Sequence, residues 1–219
     1  MAYPEDSPAY WEERYRSGQA GWDAGGPVPP LVRVRQQAEL MRGIEQVAFL
    51  GSGPGHDAVD WARAGFHVMG FDLAPAAVAA ASQRAREAGL RTRCRFEQRD
   101  LFTLEHSYAG VFDAVVEYTC FCAIHPARRA DYARTAAAIL RPGGLLVALF
   151  FPFREPGAGG PPYLVSRREL EQLFLHKRAP FERLYLEEEV FDSIPSRRGR
   201  EQLWVLRKTA PRERPRRRR

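Results

Sequence analysis

Nowhere in the chain do about 18 apolar residues follow one another, so the pattern of a membrane-spanning helix is missing. The opening MAYPEDSPAY is acidic and polar, with neither the basic start nor the apolar run of an export signal. The expectation is a soluble, cytoplasmic protein. Cysteine is scarce. Cys94, Cys120 and Cys122 are an odd set, too few for a disulfide framework and in keeping with a reducing compartment. They do not read as a metal site either: no fourth ligand stands near Cys120, Cys122 and His125, and the spacing lacks the usual two to four residues between the cysteines. No metal is expected.

Most of the chain also lacks an excess of either charge. The net charge is +6, but eight of the 33 basic residues and one of the 27 acidic ones lie from Arg207 onward, which leaves 25 against 26 in the preceding 206 residues. The basicity belongs to the end of the chain. TAPRERPRRRR carries two prolines and almost no apolar side chain, so residues 207–219 read as a basic disordered tail. A solvated tail needs no partner; electrostatic contact with nucleic acid or an anionic membrane is the alternative.

What remains, residues 1–206, is hydrophobic enough for one core and is expected to form one α/β domain. Glycine and proline punctuate alternating elements. Strands are expected over 46–50, 66–72, 93–100, 112–121 and 143–151, and helices over 56–65, 74–90 and 127–140. The fifth strand is wholly apolar and is expected at the centre of the sheet. Residues 152–163, rich in Gly and Pro, read as a long loop and a possible lid. A helix follows over 166–175, where Ser166 and Glu169 have capping-box spacing. Residues 181–191 and 200–208 then form a closing antiparallel hairpin. The fold is therefore expected to be doubly wound, a mostly parallel sheet of about seven strands with helices on both faces.

FLGSGPGHD, residues 49–57, sets Gly51, Gly53 and Gly55 between the first strand and its helix. Glycine permits positive φ and removes the Cβ, so such a turn lets the backbone run against a ligand. In a doubly wound sheet this turn lies where ligands bind, outside the carboxyl ends of the strands. A dinucleotide fits poorly: the last glycine of its fingerprint is absent, and the carboxylate of Asp57 opposes a phosphate at the helix start. Asp72, at the tip of the second strand, suits a ribose diol. Asp100, at the tip of the third, suits an adenine amino group. An adenosine without phosphates satisfies all three positions, and S-adenosylmethionine is the common cofactor of that description. Trp11, Tyr15 and Trp22 would offer ring faces to its sulfonium, with Trp11 and Tyr15 four apart on one helix face. Plain packing on the sheet edge would use them equally.

In order, FLGSGPGHD, VMGFDLAPAAV, EYTCFCAIHPARR, LRPGGLLVALFFP and GGPPYLVSRREL resemble segments of the thiopurine S-methyltransferase-like superfamily of class I methyltransferases, most closely its thiol and halide methyltransferase branch. YWEERYRSGQAGWD is similar to the segment that covers the cofactor there. The resemblance implies a Rossmann-like fold, with residues 1–25 as the covering segment. It places Trp11, Tyr15, Trp22, Gly51, Asp72, Asp100, Leu101 and Tyr118 at cofactor-binding positions, and Tyr163 in a loop over the acceptor pocket. The chain departs from the family at Tyr15, Ser52, His56, Glu117 and Cys120. Cys120, where the family usually has Phe, would enlarge or reshape the acceptor pocket.

The activity implied is transfer of a methyl group from S-adenosylmethionine to a small thiol or similar soft nucleophile, such as a halide or hydrogen sulfide. In such an in-line displacement, positioning and desolvation can supply most of the rate. The catalytic candidates are Tyr118, His125 and Tyr163. A hydroxyl or amine acceptor would need a base, His125 or Glu117, which makes a small-molecule O- or N-methyltransferase the alternative. From other classes, a cofactor-binding module docked on nucleic acid by its arginine tail and a nicotinamide dehydrogenase are the competing readings. Neither oligomeric state nor the acceptor's identity follows from the sequence.

Overall fold

A computed structural model describes residues 3–153 and 159–210. Seven strands, β1 (Gln46–Leu50), β2 (His67–Asp72), β3 (Cys94–Gln98), β4 (Phe112–Tyr118), β5 (Leu140–Phe150), β6 (Phe181–Glu187) and β7 (Gln202–Lys208), form one sheet. Their order is β3-β2-β1-β4-β5-β7-β6. The first five are parallel, whereas β7 runs antiparallel to β5 and to β6. The fold is thus the expected doubly wound α/β sheet. Its middle strand is β4, and the apolar β5 stands beside it.

Burial on both faces goes with an apolar run over residues 145–150 of β5 and 203–206 of β7, and the period of two sorts their side chains. Leu146, Ala148 and Phe150 meet Trp204 and Leu206 in one layer, and Leu145, Val147 and Leu149 meet Leu203 and Val205 in the other. The first layer is closed by α6 (Arg129–Ile139) and α7 (Arg167–Phe174), through Tyr132, Ala136, Leu170 and Phe174. The second is closed by α2 (Pro29–Arg35) and α3 (His56–Arg63), through Leu31, Val34, Val59 and Trp61. Helix α1 (Pro8–Arg16) lies on α4 (Pro75–Glu87), and a short α5 (Glu105–Tyr108) precedes β4. No helix among the described residues is long and apolar enough to cross a membrane.

Three local expectations need correction. Strand β4 stops at Tyr118, because Thr119 adopts a φ of +59°, a conformation that β-branched residues rarely take and that ends the pleat. Cys120 and Cys122 therefore sit in a turn, and both face the same cavity. The tail also begins later than residue 207. Arg207 pairs with Leu145, and the Lys208 Nζ donates to the Leu140 carbonyl at 2.6 Å, so both belong to β7. Finally, Ser166 caps α7 by accepting from the Glu169 N–H at 3.2 Å, while the Glu169 carboxylate pairs with Arg129 at 2.7 Å. The rest of the tail, residues 211–219, and the loop tip, residues 154–158, lie outside the described residues, as does any test of the lid.

Candidate active site

Strand order reverses between β1 and β4, and ligands of such sheets bind beyond the carboxyl ends of the strands at that point. A cavity of about 510 Å³ lies there. Gly51, Asp72, Asp100, Thr119 and Cys120, from the tips of β1 to β4, line it on one side, and Trp11, Tyr15 and Trp22 on the other.

The three glycines of the first turn have φ of +60°, +53° and +79°, which explains the residue type. A Cβ on Gly51 would stand 2.7 Å from the Cys120 Sγ, and one on Gly55 would stand 2.8 Å from the Ala81 Cβ of α4. At Gly51 and Gly55 the space a Cβ would take is thus filled by the protein itself. Gly51 alone lines the main cavity; Gly53 borders a side hollow of about 50 Å³ with Trp22 and Tyr118, and Gly55 lets α4 approach.

Asp72 organises this turn. Its Oδ2 accepts from the Gly53 N–H at 2.8 Å and its Oδ1 from the Ala74 N–H at 2.9 Å. Burial raises its pKa, and these backbone donors oppose the rise. Asp100 accepts from the Phe102 N–H at 2.9 Å and so fixes the turn that sets Leu101 on the cavity wall. Each carboxylate keeps lone pairs for a ligand.

The aromatic cover is a unit. Trp22 meets Trp11 and Tyr15 edge to face, at centroid distances of 5.4 and 5.5 Å, and its Nε1 donates to the Tyr15 hydroxyl at 3.1 Å. Separate contacts tie the segment down: Glu12 accepts from the Ala76 N–H at 2.8 Å, Asp23 lies 3.1 Å from His56, and Asp57 accepts from the Val28 N–H at 2.8 Å.

The three catalytic candidates stand behind the cavity wall. His125 stacks on Tyr3 at 3.6 Å, and its Nδ1 accepts from the Ala127 N–H at 3.3 Å, capping the turn that Pro126 starts. The Tyr163 hydroxyl donates to the Glu5 Oε1 at 2.6 Å, and burial with that bond raises its pKa to about 12. The Tyr118 hydroxyl donates to Glu201 at 3.0 Å and accepts from Arg197; burial raises its pKa as well. Glu117, the alternative base, is buried beneath the turn. Its Oε1 accepts from the N–H groups of Cys120 and Phe121 at 3.0 and 2.8 Å, and burial pushes its pKa up to about 8.

FCAIHP and GGPPY, which read as pocket walls in the sequence, supply Ile124, Pro161 and Pro162 to the cavity, whereas sequence reasoning missed Glu5, Phe102, Phe151, Arg197 and Arg200. Arg197 is only 5% exposed, and its Nη2 donates to the Trp22 carbonyl at 2.7 Å across 175 positions of sequence. RRGRE carries no periodic or motif signal for this. Among the described residues, no three His, Cys, Asp or Glu side chains converge as a metal site.

The family model for thiopurine S-methyltransferase matches residues 6–209. A probable thiol methyltransferase 2 of Arabidopsis thaliana is 34% identical over 171 residues, 78% of this chain and 74% of that one. Thiocyanate methyltransferase 1 of Brassica oleracea is 31% identical over 193 residues, 88% of this chain and 82% of its own. In fold, the chain matches the 1,6-didemethyltoxoflavin-N1-methyltransferase of Burkholderia thailandensis, whose structure holds S-adenosylhomocysteine, with a TM-score of 0.72 at 21% identity, covering 96% and 92% of the two chains. With two acidic strand tips and an aromatic cover around one cavity at the switch point, the chain belongs to the thiopurine S-methyltransferase family of S-adenosylmethionine-dependent methyltransferases.

Proposed function

We propose that the cavity holds S-adenosylmethionine and passes its methyl group to a small thiol or similar soft anion. Asp72 would take the ribose, Asp100 and Leu101 the adenine, and Trp11, Tyr15 and Trp22 the region of the sulfonium. Bound there, the sulfonium supplies an electrophilic methyl for in-line attack. The chain's own part is to position the acceptor and keep water away.

One observation carries the acceptor class. The cavity wall joins apolar residues such as Ile124, Phe151 and Pro162 to the guanidinium groups of Arg14, Arg99, Arg197 and Arg200, the last two 5.2 and 5.3 Å from the Phe151 ring centre, and no histidine lines it. Its carboxylates Glu5 and Asp6 are already engaged, by Tyr163 at 2.6 Å and by Arg128 at 2.8 Å. A thiolate, halide or hydrogen sulfide anion meets positive charge there and needs no base.

Calorimetric titration with S-adenosylhomocysteine, beside NADH as control, tests the cofactor; binding of NADH alone would sink the reading. Methyl transfer to hydrogen sulfide, small thiols, halides and phenols then tests the acceptor. With a thiol, the rate should follow the thiolate fraction, and His125→Ala should leave it within about twofold, since the ring caps a turn away from the cavity. A tenfold loss, with a histidine-like pKa removed from the profile, would restore the base mechanism.

Trp22→Ala removes both edge-to-face contacts and the bond to Tyr15. It should weaken S-adenosylhomocysteine binding about tenfold with little change in melting temperature, because Trp22 borders the cavity and not the core. An unchanged dissociation constant would reject its place over the cofactor.

A further inference from the structure

Just before β7 lies a buried carboxylate that methyl transfer itself does not use. Glu201 is 1% exposed. Its Oε1 accepts the Tyr118 hydroxyl at 3.0 Å, and the same hydroxyl oxygen accepts from the Arg197 Nη1. The Arg197 Nη2 goes to the Trp22 carbonyl at 2.7 Å. The guanidinium carbon lies 5.0 Å from the Tyr118 ring centre and 5.2 Å from that of Phe151. Its edge reaches the cavity.

Burying a carboxylate costs desolvation, which raises the pKa of Glu201, and the side chains of Ser193 and Tyr118 and the charge of Arg197 oppose that rise. Packing alone would be served better by an apolar side chain, as at Leu203 and Val205 of the same strand. What the carboxylate does is fix direction. A tyrosine hydroxyl has one proton; once Glu201 takes it, only lone pairs face Arg197. The guanidinium is then held by the Tyr118 oxygen and the Trp22 carbonyl while Arg197 lines the cavity.

We propose that Glu201 is a positioning residue for Arg197, acting through Tyr118, and that it sets affinity for an anionic acceptor without touching it. The inference rests on the reading of Arg197 as the counter-charge of that acceptor. Its mark is selective: acceptor affinity should suffer while cofactor affinity does not, because neither Glu201 nor Tyr118 lines the main cavity.

The test compares wild type, Glu201→Leu, Arg197→Met and the double variant, with thiocyanate as the anion, titrated at low ionic strength in the presence and absence of S-adenosylhomocysteine. Glu201→Leu leaves the Tyr118 hydroxyl without its acceptor and should weaken thiocyanate binding about fivefold to tenfold and leave S-adenosylhomocysteine within twofold. Arg197→Met should weaken it at least as much, and adding Glu201→Leu to it should change nothing more. Multiplying effects in the double variant, equal losses for anion and cofactor, or no thiocyanate binding by wild type would each overturn the proposal. If Glu201→Leu does not fold, Tyr118→Phe removes the connecting hydroxyl alone and should reproduce the anion defect; normal anion binding by that variant would overturn the proposal too. Because anion binding is read without turnover, the outcome is separate from whether any acceptor is methylated. Loss of S-adenosylhomocysteine binding in wild type would instead strike the proposed function.

Discussion

Asp72→Ala is expected to weaken S-adenosylhomocysteine binding at least a hundredfold. The side chain has two tasks that end together. It accepts from the N–H groups of Gly53 and Ala74, so its loss strands two buried donors, each costing about 1–3 kcal/mol. The glycine turn would relax, and with it the wall that Gly51 gives the cavity. In the proposed site the ligand's ribose also loses its acceptor. Asp72→Asn separates the tasks: its amide oxygen keeps one of the two backbone donors, so the turn should hold better while ribose affinity still falls. Calorimetry on both variants, with urea unfolding alongside, reads the two effects. If Asp72→Ala binds within about threefold of wild type, the ligand does not sit where the strand tips place it.

That aspartate was legible in the sequence for a physical reason: strand periodicity and the spacing from the glycines are local, and the tip of β2 follows from them. The same holds for Asp100, and for the aromatic face of Trp11 and Tyr15. Local pattern also sufficed for the closing hairpin, although it did not show that β7 enters between β5 and β6. The glycines were legible as a turn, but the close approach of Cys120 and Ala81 was not, because both come from distant segments. His125 and Glu117 misled for the same reason. Residue type suggested a base, whereas a cap on Ala127 and two backbone bonds under the turn decide what each does. Arg197 left no trace, since its value comes from burial against Trp22 and Tyr118, and neither pairing has a sequence period.

Glu117 leads to the second large effect, on stability against pH. Burial raises its pKa from 4.5 to about 8, and that of Asp57 from 3.8 to about 7. Between the unfolded and folded values, the native state keeps protons that the unfolded chain has already released, so stability falls as pH rises. Each group removes about 1.4 kcal/mol per pH unit inside its window. The loss begins near pH 4, is shared by both groups up to about pH 7, and ends above about pH 8. Glu117→Gln takes one of them out of the titration. Its amide oxygen can still accept from Cys120 and Phe121, and its nitrogen replaces an oxygen that has no partner among the described residues. The gap in unfolding free energy between variant and wild type should therefore widen in the variant's favour by a few kcal/mol from pH 5 to pH 8, as urea unfolding at the two values would show. A gap that stays constant would mean that Glu117 titrates alike folded and unfolded. The turn that carries Thr119 and Cys120 would then be held by a carboxylate ionised throughout, with Arg129, which already opposes the rise, as its counter-charge.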